Sequence, residues 1–213
     1  MSFVLLNPLP KHCIVAVSGG PDSMAGLHWL SRSPSRVLHA LHVNHGTGEF
    51  ADASEKLVVD YCKKNDIPVR VLKILDLPPK GESKENFWRK KRYEIFDGFS
   101  DCYEWPIVTC HTLDDCIEEY VIKTMVRFSS DPQKLIAYHG PSNTIRPFRM
   151  WRKVDILDYC MRNDVPFLHD PTNFDGSNLR SSLRKSIIPE LLRISPGLPG
   201  FVMKLLVGQE TNS

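Results

Sequence analysis

The sequence is short of the features that mark secreted and membrane proteins. Its six cysteines include no C-x-x-C pair, so neither a disulfide framework nor a thiolate metal site is expected. No apolar run approaches the roughly 18 residues that span a bilayer. The N-terminal segment MSFVLLNPLPKHC has too short an apolar stretch, and too much proline, for a signal peptide. We therefore expect a cytoplasmic protein with no membrane partner.

Net charge is also nearly absent, but the charges are unevenly placed. The 213 residues carry a formal charge of +2, and their 42% hydrophobic content is enough for one buried core. The segment KGESKENFWRKKRY holds six Lys or Arg against two Glu, and residues 146–204 are also net positive. Such surpluses suit a polyanionic partner, because Lys and Arg neutralise phosphates. A solvated helix face is the alternative.

Strand-like and helix-like patterns alternate through the first 128 residues. The apolar runs CIVAV, RVLHALHV, VRVLKIL and PIVTC are each followed by a segment of helical period. This alternation predicts a parallel sheet covered by helices on both faces, and right-handed crossovers make the fold doubly wound. We predict an α/β fold with a mostly parallel, five-stranded sheet. In the fourth helix one face is predicted to hold Ile117, Val121, Thr124, Met125 and Phe128.

The pattern changes after Phe128. SSDPQKLIAYHGPSNT is polar and broken by Pro and Gly, which predicts a long loop. Helices are expected over 153–163 and 179–192, separated by the turn-rich HDPTNFDGSN, and the last residues are expected to fray. We divide the chain into a nucleotide-binding domain, 1–145, and a C-terminal helical extension of the same catalytic unit, 146–213.

The first strand-to-helix junction, SGGPDS, is the predicted anion site. In a doubly wound sheet this turn is the usual phosphate seat, and Gly19 and Gly20 let a ligand approach the backbone. Ser18 and Ser23 add hydroxyl donors. Asp22 would repel phosphates unless a cation such as Mg²⁺ lies between them. The loop lacks the lysine of the G-x-x-x-x-G-K-[ST] motif, and a simple turn that starts a helix is the alternative.

Two further polar groups lie where strands should end. HVNHG closes the second strand and places Asn44 and His45 at the same rim. His42 and His45 could be strand-end histidines with ordinary hydrogen-bond partners, or they could bind a metal as a pair. Asp115 and Glu118 are three residues apart on the helix after the fourth strand and therefore face the same way. They could grip a cationic side chain, or be ordinary helix acids.

Six sequence blocks besides SGGPDS carry a resemblance to a known family: LHVNHG, RKKRYEIF, TCHTLDDCIEE, RPF, HDPTN and LRSSLRKSIIPEL. In order and approximate spacing they resemble the catalytic domain of the tRNA(Ile)-lysidine synthetases, N-type ATP pyrophosphatases of the PP-loop superfamily. The resemblance implies an adenine nucleotide alpha hydrolase-like fold, in a minimal catalytic-domain form. It implies that ATP, with Mg²⁺, adenylates C2 of the wobble cytidine in a CAU-anticodon isoleucine tRNA, and that L-lysine then displaces AMP.

The resemblance also assigns roles to residues. Catalysis would involve Asp22, Asp115, Glu118 and Arg92, with Asp22 on the metal and the other three on the substrate lysine. ATP would contact Ser18, Gly19, Gly20, Pro21, Asp22, Ser23, Asn44, His45 and His111. The charge surplus, separately from the resemblance, points to a set of RNA phosphate contacts: Arg89, Lys90, Lys91, Arg146, Arg180, Arg184 and Lys185. Trp88, Phe148 or Trp151 could stack on bases, with core packing as the alternative.

Three segments depart from the family pattern. Cys110 to Leu113 replace Gly-His-His-Ala, VRFSSDPQKLIAYHG replaces an Arg-Gly helix end with a Gly-rich loop, and LRSSLRK lacks an internal Asn-Arg. Two other functions on this scaffold stay open. A tRNA thiolase would need reactive cysteines, for which Cys110 is the candidate, and a nucleotide-binding module would need no amine grip. A monomer and a homodimer are both compatible with the sequence.

Overall fold

A mixed sheet forms the centre of the molecule. The computed structural model describes residues 4–131, 134–170 and 179–211. Its sheet has six strands in the order β3-β2-β1-β4-β6-β5, parallel except for β5. The strands are β1 (His12–Ala16), β2 (Val37–Asn44), β3 (Val69–Lys73), β4 (Ile107–Val108), β5 (His139–Gly140) and β6 (Thr144–Ile145).

Helices cover both faces of this sheet. They are α1 (Pro21–Ser31), α2 (Glu49–Lys64), α3 (Lys84–Tyr103), α4 (Leu113–Val121), α5 (Lys153–Arg162), α6 (Leu179–Ser182), α7 (Ile188–Ile194) and α8 (Leu198–Thr211). Alternate β1 residues point to opposite sides: Cys13 and Val15 join one buried cluster with helices α1 and α5, whereas Ile14 joins Phe96 of α3 in another. The predicted doubly wound α/β fold is confirmed.

The predicted count of five strands is wrong by one. Strands β5 and β6 lie in or beside the segment expected to be a long loop, and each has only two residues. A two-residue strand is too short to show period-2 alternation, so no local pattern marks it. Parallel pairing with β4 makes β6 a strand: Ile107 lies beside Thr144 and Val108 beside Ile145.

Residues 207–211 of the tail expected to fray belong to helix α8. Helix α8 buries Val202 and Leu206 completely, in a cluster with Ile117 and Val121 of α4. The Arg149 side chain, which is 2% exposed, reaches Glu210 at 2.8 Å. Such burial stabilises the tail against fraying.

The domain boundary at 145 stays a prediction. Phe148 and Trp151, just beyond it, pack in the same buried cluster as residues of β1 and α1. The start of the C-terminal extension is therefore part of the core that covers the sheet.

Two helices contain a π-helical turn. Helix α4 continues into the turn Ile122–Val126, and α6 joins α7 through the turn Leu183–Ile187. A π-turn inserts one residue, which rotates the following residues by about 100° around the helix axis. The predicted apolar face of α4 is therefore wrong at the end of the turn and after it, since Met125 and Phe128 are 55% and 81% exposed.

Within the described ranges, no single helix has the length and apolar content needed to cross a membrane; residues 179–194 and 198–211 meet those criteria only as a pair bent by 96°.

Candidate functional site

The loop between β1 and α1 is held closed by its own hydroxyl groups. The Ser18 amide donates to Ser23 Oγ at 3.1 Å, and Ser23 Oγ donates to the Gly20 carbonyl at 3.0 Å. Gly19 has a φ of +88°, and a Cβ there would lie 3.2 Å from Ser54 Cβ. Glycine is therefore required at this position. Helix α1 begins directly after the loop, and its N-terminus faces the same edge of the sheet.

Asp22 has the properties of a cation ligand. Its Oδ1 is buried and accepts no hydrogen bond from the described residues, while Oδ2 lies 3.8 Å from Lys153 Nζ. Burial raises the pKa of Asp22 from 3.8 to about 6, against the opposing effect of Lys153. A buried carboxylate with one oxygen unused can take a hard cation. This carboxylate fits the predicted Mg²⁺, of which Asp22 would be a ligand beside the phosphate oxygens, and the contact stays a prediction.

A chain of alternating charges leads away from Asp22. Lys153 Nζ lies 3.2 Å from Asp115 Oδ1, which is 3.3 Å from Arg184 Nη2. Arg184 also contacts both oxygens of Glu118, one through Nε and the other through Nη2 at 2.9 Å. Burial lowers the pKa of Lys153, but Asp115 and Asp22 more than offset this and raise it overall. Both cations are therefore charged at neutral pH.

Asp115 and Glu118 lie together as their spacing predicts, but the chain's own cations occupy them. Asp115 Oδ2 accepts from the Thr112 amide at 2.8 Å and from Thr112 Oγ1 at 2.9 Å, which caps α4. Burial raises the pKa of Asp115, but Lys153, His111, the Thr112 amide and an arginine hold it well below its ordinary value. The binding of a substrate lysine by these acids stays a prediction.

Lys153 is a site residue that the sequence reasoning missed. Asp114 Oδ2 accepts the Lys153 amide at 2.7 Å and lies 3.2 Å from Arg152 Nε, so Asp114 ties the start of α5 to the start of α4. This contact holds Lys153 between Asp22 and Asp115. Asp114 is an acid in the first turn of α4, and the neighbouring helix supplies its amide partner. The sequence marks this residue only as a lysine at the first position of the helix expected over 153–163.

The second strand contributes a separate polar rim. Asn44 Nδ2 donates to Glu55 at 2.7 Å and to Asp52 at 3.1 Å, so the side chain is fixed by α2. The His45 ring lies 5.6 Å from that of Trp88, and its Nδ1 is buried without a hydrogen-bond partner among the described residues. Burial, then a neighbouring arginine, lowers the pKa of His45 to about 4. The imidazole is therefore neutral at pH 7.

His111 is likewise neutral and lies beside the acids of α4. Its Nδ1 is 3.1 Å from Thr109 Oγ1, and burial lowers its pKa to about 4 despite the opposing effect of Asp115. The adjacent Cys110 is partly buried, and desolvation raises the pKa of its thiol far above the ordinary value. Such a thiol is not nucleophilic at neutral pH. Contacts with ATP or lysine stay predictions for four residues: Asn44, His45, Arg92 and His111.

The residues predicted to contact RNA fall into four groups. Arg89, Lys90 and Lys185 are exposed on α3 and on the second π-turn. Lys91 and Arg180 are paired with acids, Lys91 with Asp76 and Glu94 at 3.2 Å, and Arg180 with Glu119 at 3.1 Å. Arg184 belongs to the acid cluster described above. Arg146, the last of the set, lies elsewhere.

Arg146 and two aromatic residues are in the interior. Arg146 is 7% exposed and donates through Nη1 to the Ala137 carbonyl at 3.0 Å, so the expected phosphate contact is wrong for this structure. Phe148 and Trp151 are 1% and 2% exposed and pack against Trp29, so they are unavailable for stacking on bases. The alternative of core packing is correct for both.

Two remaining predictions concern the rim and the turn-rich segment. Trp88 is half-buried at the rim, beside His45. The blocks HDPTN and HDPTNFDGSN extend into residues 171–178, which lie outside the described residues.

These features define a class of protein: a doubly wound α/β domain with a glycine-containing loop after its first strand. The Asp22 carboxylate and the Lys153 ammonium lie at the end of that loop. A family model described as "PP-loop domain" matches residues 4–191, and the chain belongs to this family. The match spans the loop, all six strands and the helices that carry Asp115, Lys153 and Arg184. The predicted membership of the PP-loop superfamily is confirmed.

Curated relatives of similar sequence are tRNA(Ile)-lysidine synthases. The chain is 31% identical over 189 residues to that of Staphylococcus epidermidis, 30% over 202 residues to that of Lactiplantibacillus plantarum, and 28% over 195 residues to that of Francisella tularensis. The alignments cover 84–91% of this chain but only 44–48% of the relatives. The chain thus spans about half the length of the curated relatives that it matches.

Solved structures share the fold at low sequence identity. A U34-tRNA thiolase from Methanococcus maripaludis, solved with its [4Fe-4S] cluster, superposes with a TM-score of 0.74 at 18% identity, covering 94% of this chain and 72% of that one. An NH3-dependent NAD synthetase from Campylobacter jejuni gives 0.52 at 12% identity, covering 94% and 86%. At such identities the likeness shows the fold alone.

Proposed function

We propose that the chain is the catalytic part of an ATP-dependent tRNA-modifying ligase of the lysidine type. The observation that carries the proposal is the placement of Asp22, Lys153 and Arg184 beside the closed loop of a PP-loop domain. The substrates would be ATP with Mg²⁺, a CAU-anticodon isoleucine tRNA and L-lysine. The named relatives support this choice of tRNA and reaction.

The first step would be adenylation. O2 of the wobble cytidine attacks the α-phosphorus of ATP, the bond to the β-phosphate breaks, and pyrophosphate leaves with the bridging oxygen. Loop amides, Mg²⁺ at Asp22 and the Lys153 ammonium would stabilise the charge on the phosphates. The sequence lacks a lysine within the loop, and Lys153 reaches the same place from α5. Its ammonium lies within 3.8 Å of the loop carboxylate.

The second step would be attack by the lysine amine on C2, which expels AMP. The nucleophilic nitrogen must be deprotonated, and the substrate must be oriented by its charged groups. Asp115 is the better placed of the two predicted acids, because its Oδ1 is shared between Lys153 and Arg184. Phosphates at the loop would draw Lys153 away from Asp115 and release this oxygen for an ammonium group. Glu118 would keep Arg184 in position through its paired contact.

A tRNA thiolase is the second candidate, favoured by the fold likeness. A thiolase needs reactive sulfur, and the raised pKa of the partly buried Cys110 thiol makes it poorly suited to that need. A nucleotide-binding module without catalysis is the third candidate. It does not explain why two half-buried cations converge on three carboxylates beside the loop.

Pyrophosphate release separates the candidates. The purified chain would be incubated with ATP, Mg²⁺ and a CAU-anticodon isoleucine tRNA transcript, with and without lysine, and radiolabelled lysine in the RNA would be counted. The proposal expects pyrophosphate with tRNA alone and label in the RNA when lysine is present. Asp115→Asn should spare pyrophosphate release and block incorporation, whereas Cys110→Ser should change neither. Pyrophosphate release that does not depend on lysine and is abolished by Cys110→Ser would favour the thiolase. The absence of any pyrophosphate release would favour the binding module.

A further inference from the structure

Phe128 is an exposed aromatic residue in an unfavourable backbone conformation. Its side chain is 81% exposed, and its φ of +46° lies in the left-handed region. The residue follows the π-turn Ile122–Val126, and the Ser129 amide donates to the Lys123 carbonyl at 2.9 Å, which closes the helix end. Glycine is the usual residue at such a position, because a Cβ is crowded there. An aromatic residue here costs stability and buries little surface.

The π-turn determines where the ring lies. Without its inserted residue, Phe128 would continue the buried face of Ile117 and Val121, which are 0% and 2% exposed. With it, the four residues at the end of this helical segment, 125–128, are all exposed together. The helix carries Glu118 near its start, and eight residues of helix place Val126 about 12 Å farther along. The exposed ring therefore lies on the helix of the candidate site but outside the site itself.

Cations outnumber acids in the chain around Phe128. Arg127 is adjacent and exposed, and Lys123 donates to the carbonyl of a third basic residue, Lys134. Asp131 is an acid of the same segment, and its Oδ1 accepts the Lys134 amide at 3.3 Å. Glu119, on the same helix, is paired with Lys123 and with an arginine of α6, so its negative charge is already compensated. An aromatic face beside several Lys and Arg side chains is the arrangement that binds single-stranded RNA.

We propose that Phe128 is an RNA contact that stacks on an unpaired nucleobase of the loop that carries the reacting nucleotide, with Arg127 on its phosphate. This inference rests on the proposed function, because it takes an RNA as the ligand. Stacking explains the three observations together: the left-handed backbone, the exposed ring and the cations around it. It predicts a contribution to RNA affinity but none to the chemistry at the anion loop.

The test compares stability with RNA affinity. Phe128→Gly removes both the ring and the unfavourable conformation, so the melting temperature should stay unchanged or rise by up to about 4 °C. Affinity for the CAU-anticodon transcript, measured by filter binding, should fall by about 5-fold to 150-fold. Phe128→Trp should keep the affinity. The matched control is Glu104→Gly at the end of α3, where φ is +55°: it relieves the same strain, and RNA affinity should not change.

Three results would overturn the inference: equal RNA affinity for Phe128→Gly and the unsubstituted chain, loss of affinity accompanied by unfolding in both Phe128 variants, or a dimer that Phe128→Gly dissociates while RNA binding persists. The last result would assign the ring to a contact between copies. Failure of the proposed function is distinguishable, because it appears as missing lysine incorporation by a chain that binds the transcript through Phe128.

Discussion

Asp22 should destabilise the free protein while enabling its chemistry, and Asp22→Asn separates the two effects. Burial raises its pKa from 3.8 to about 6, with the side chain 27% exposed. At neutral pH Asp22 is ionised in both states, but its charge is less stable in the folded protein than in the unfolded chain. A difference of this size corresponds to about 3 kcal/mol. Asparagine has the same shape without the charge, so Asp22→Asn should raise the free energy of unfolding by up to about 3 kcal/mol at pH 7.

The sign of this effect sets its pH dependence. Below about pH 4, Asp22 is protonated in both the folded and the unfolded chain, so its neutral carboxyl should resemble the asparagine of the variant and the two stabilities should be nearly equal. As the pH rises from about 4 to 6, the unfolded chain loses this proton first, so the unsubstituted protein loses stability relative to the variant. The gap between the two proteins should open across this window and stay constant above it.

Urea denaturation of the two proteins at pH 4, 5, 6 and 7 measures the gap, and pyrophosphate release measures activity. The variant should be folded, more stable at pH 7 and inactive, and added Mg²⁺ with ATP should stabilise only the unsubstituted chain. Asp60→Asn is the control: Asp60 is exposed and its pKa is lowered by Lys56, so stability should change in the opposite direction. A variant that is less stable at pH 7, or that releases pyrophosphate normally, would refute the reasoning.

The remaining predictions address the cations and the C-terminal helix. Lys153→Met should lower kcat/KM for ATP by about 100-fold to 1,000-fold in the pyrophosphate assay, with Lys153→Arg less affected, because a donor to the phosphates is lost. Glu210→Gln should lower the free energy of unfolding by about 3 kcal/mol in urea, because it leaves the buried Arg149 uncompensated. Lys90→Ala and Lys185→Ala should each flatten the salt dependence of tRNA binding by about one unit of slope; unchanged slopes would place the RNA on another face.

The anion loop and the sheet around it were predictable because their signals are local. A buried β-branched run followed at once by two glycines, a proline and an acid specifies a strand, a left-handed turn and a helix start within about ten consecutive residues. The structure has β1, the positive φ of Gly19 and the start of α1 in that order. Parallel pairing of β1 with β2 follows from the helix between them.

Elements that depend on distant partners were not predictable in this way. Strand β6 exists because β4 pairs with it, and α8 is ordered because α4 and Arg149 cover it. The π-turn after α4 has no compositional marker, yet it rotates Met125 and Phe128 from a predicted buried face to the surface. Helical periodicity assumes an uninterrupted α-helix, and one inserted residue is enough to make its prediction fail.

The acids of α4 show where sequence reasoning about a site stops. A spacing of three residues correctly placed Asp115 and Glu118 on one face, and a buried pair of carboxylates requires cations. The spacing does not say whose cation is held. Arg184 lies 66 residues beyond Glu118 and Lys153 lies 38 residues beyond Asp115, and only the tertiary fold brings them within reach. In the proposed function, a substrate ammonium would compete with residues of the chain itself, so the pairing, as well as the acids, would be part of what selects the substrate.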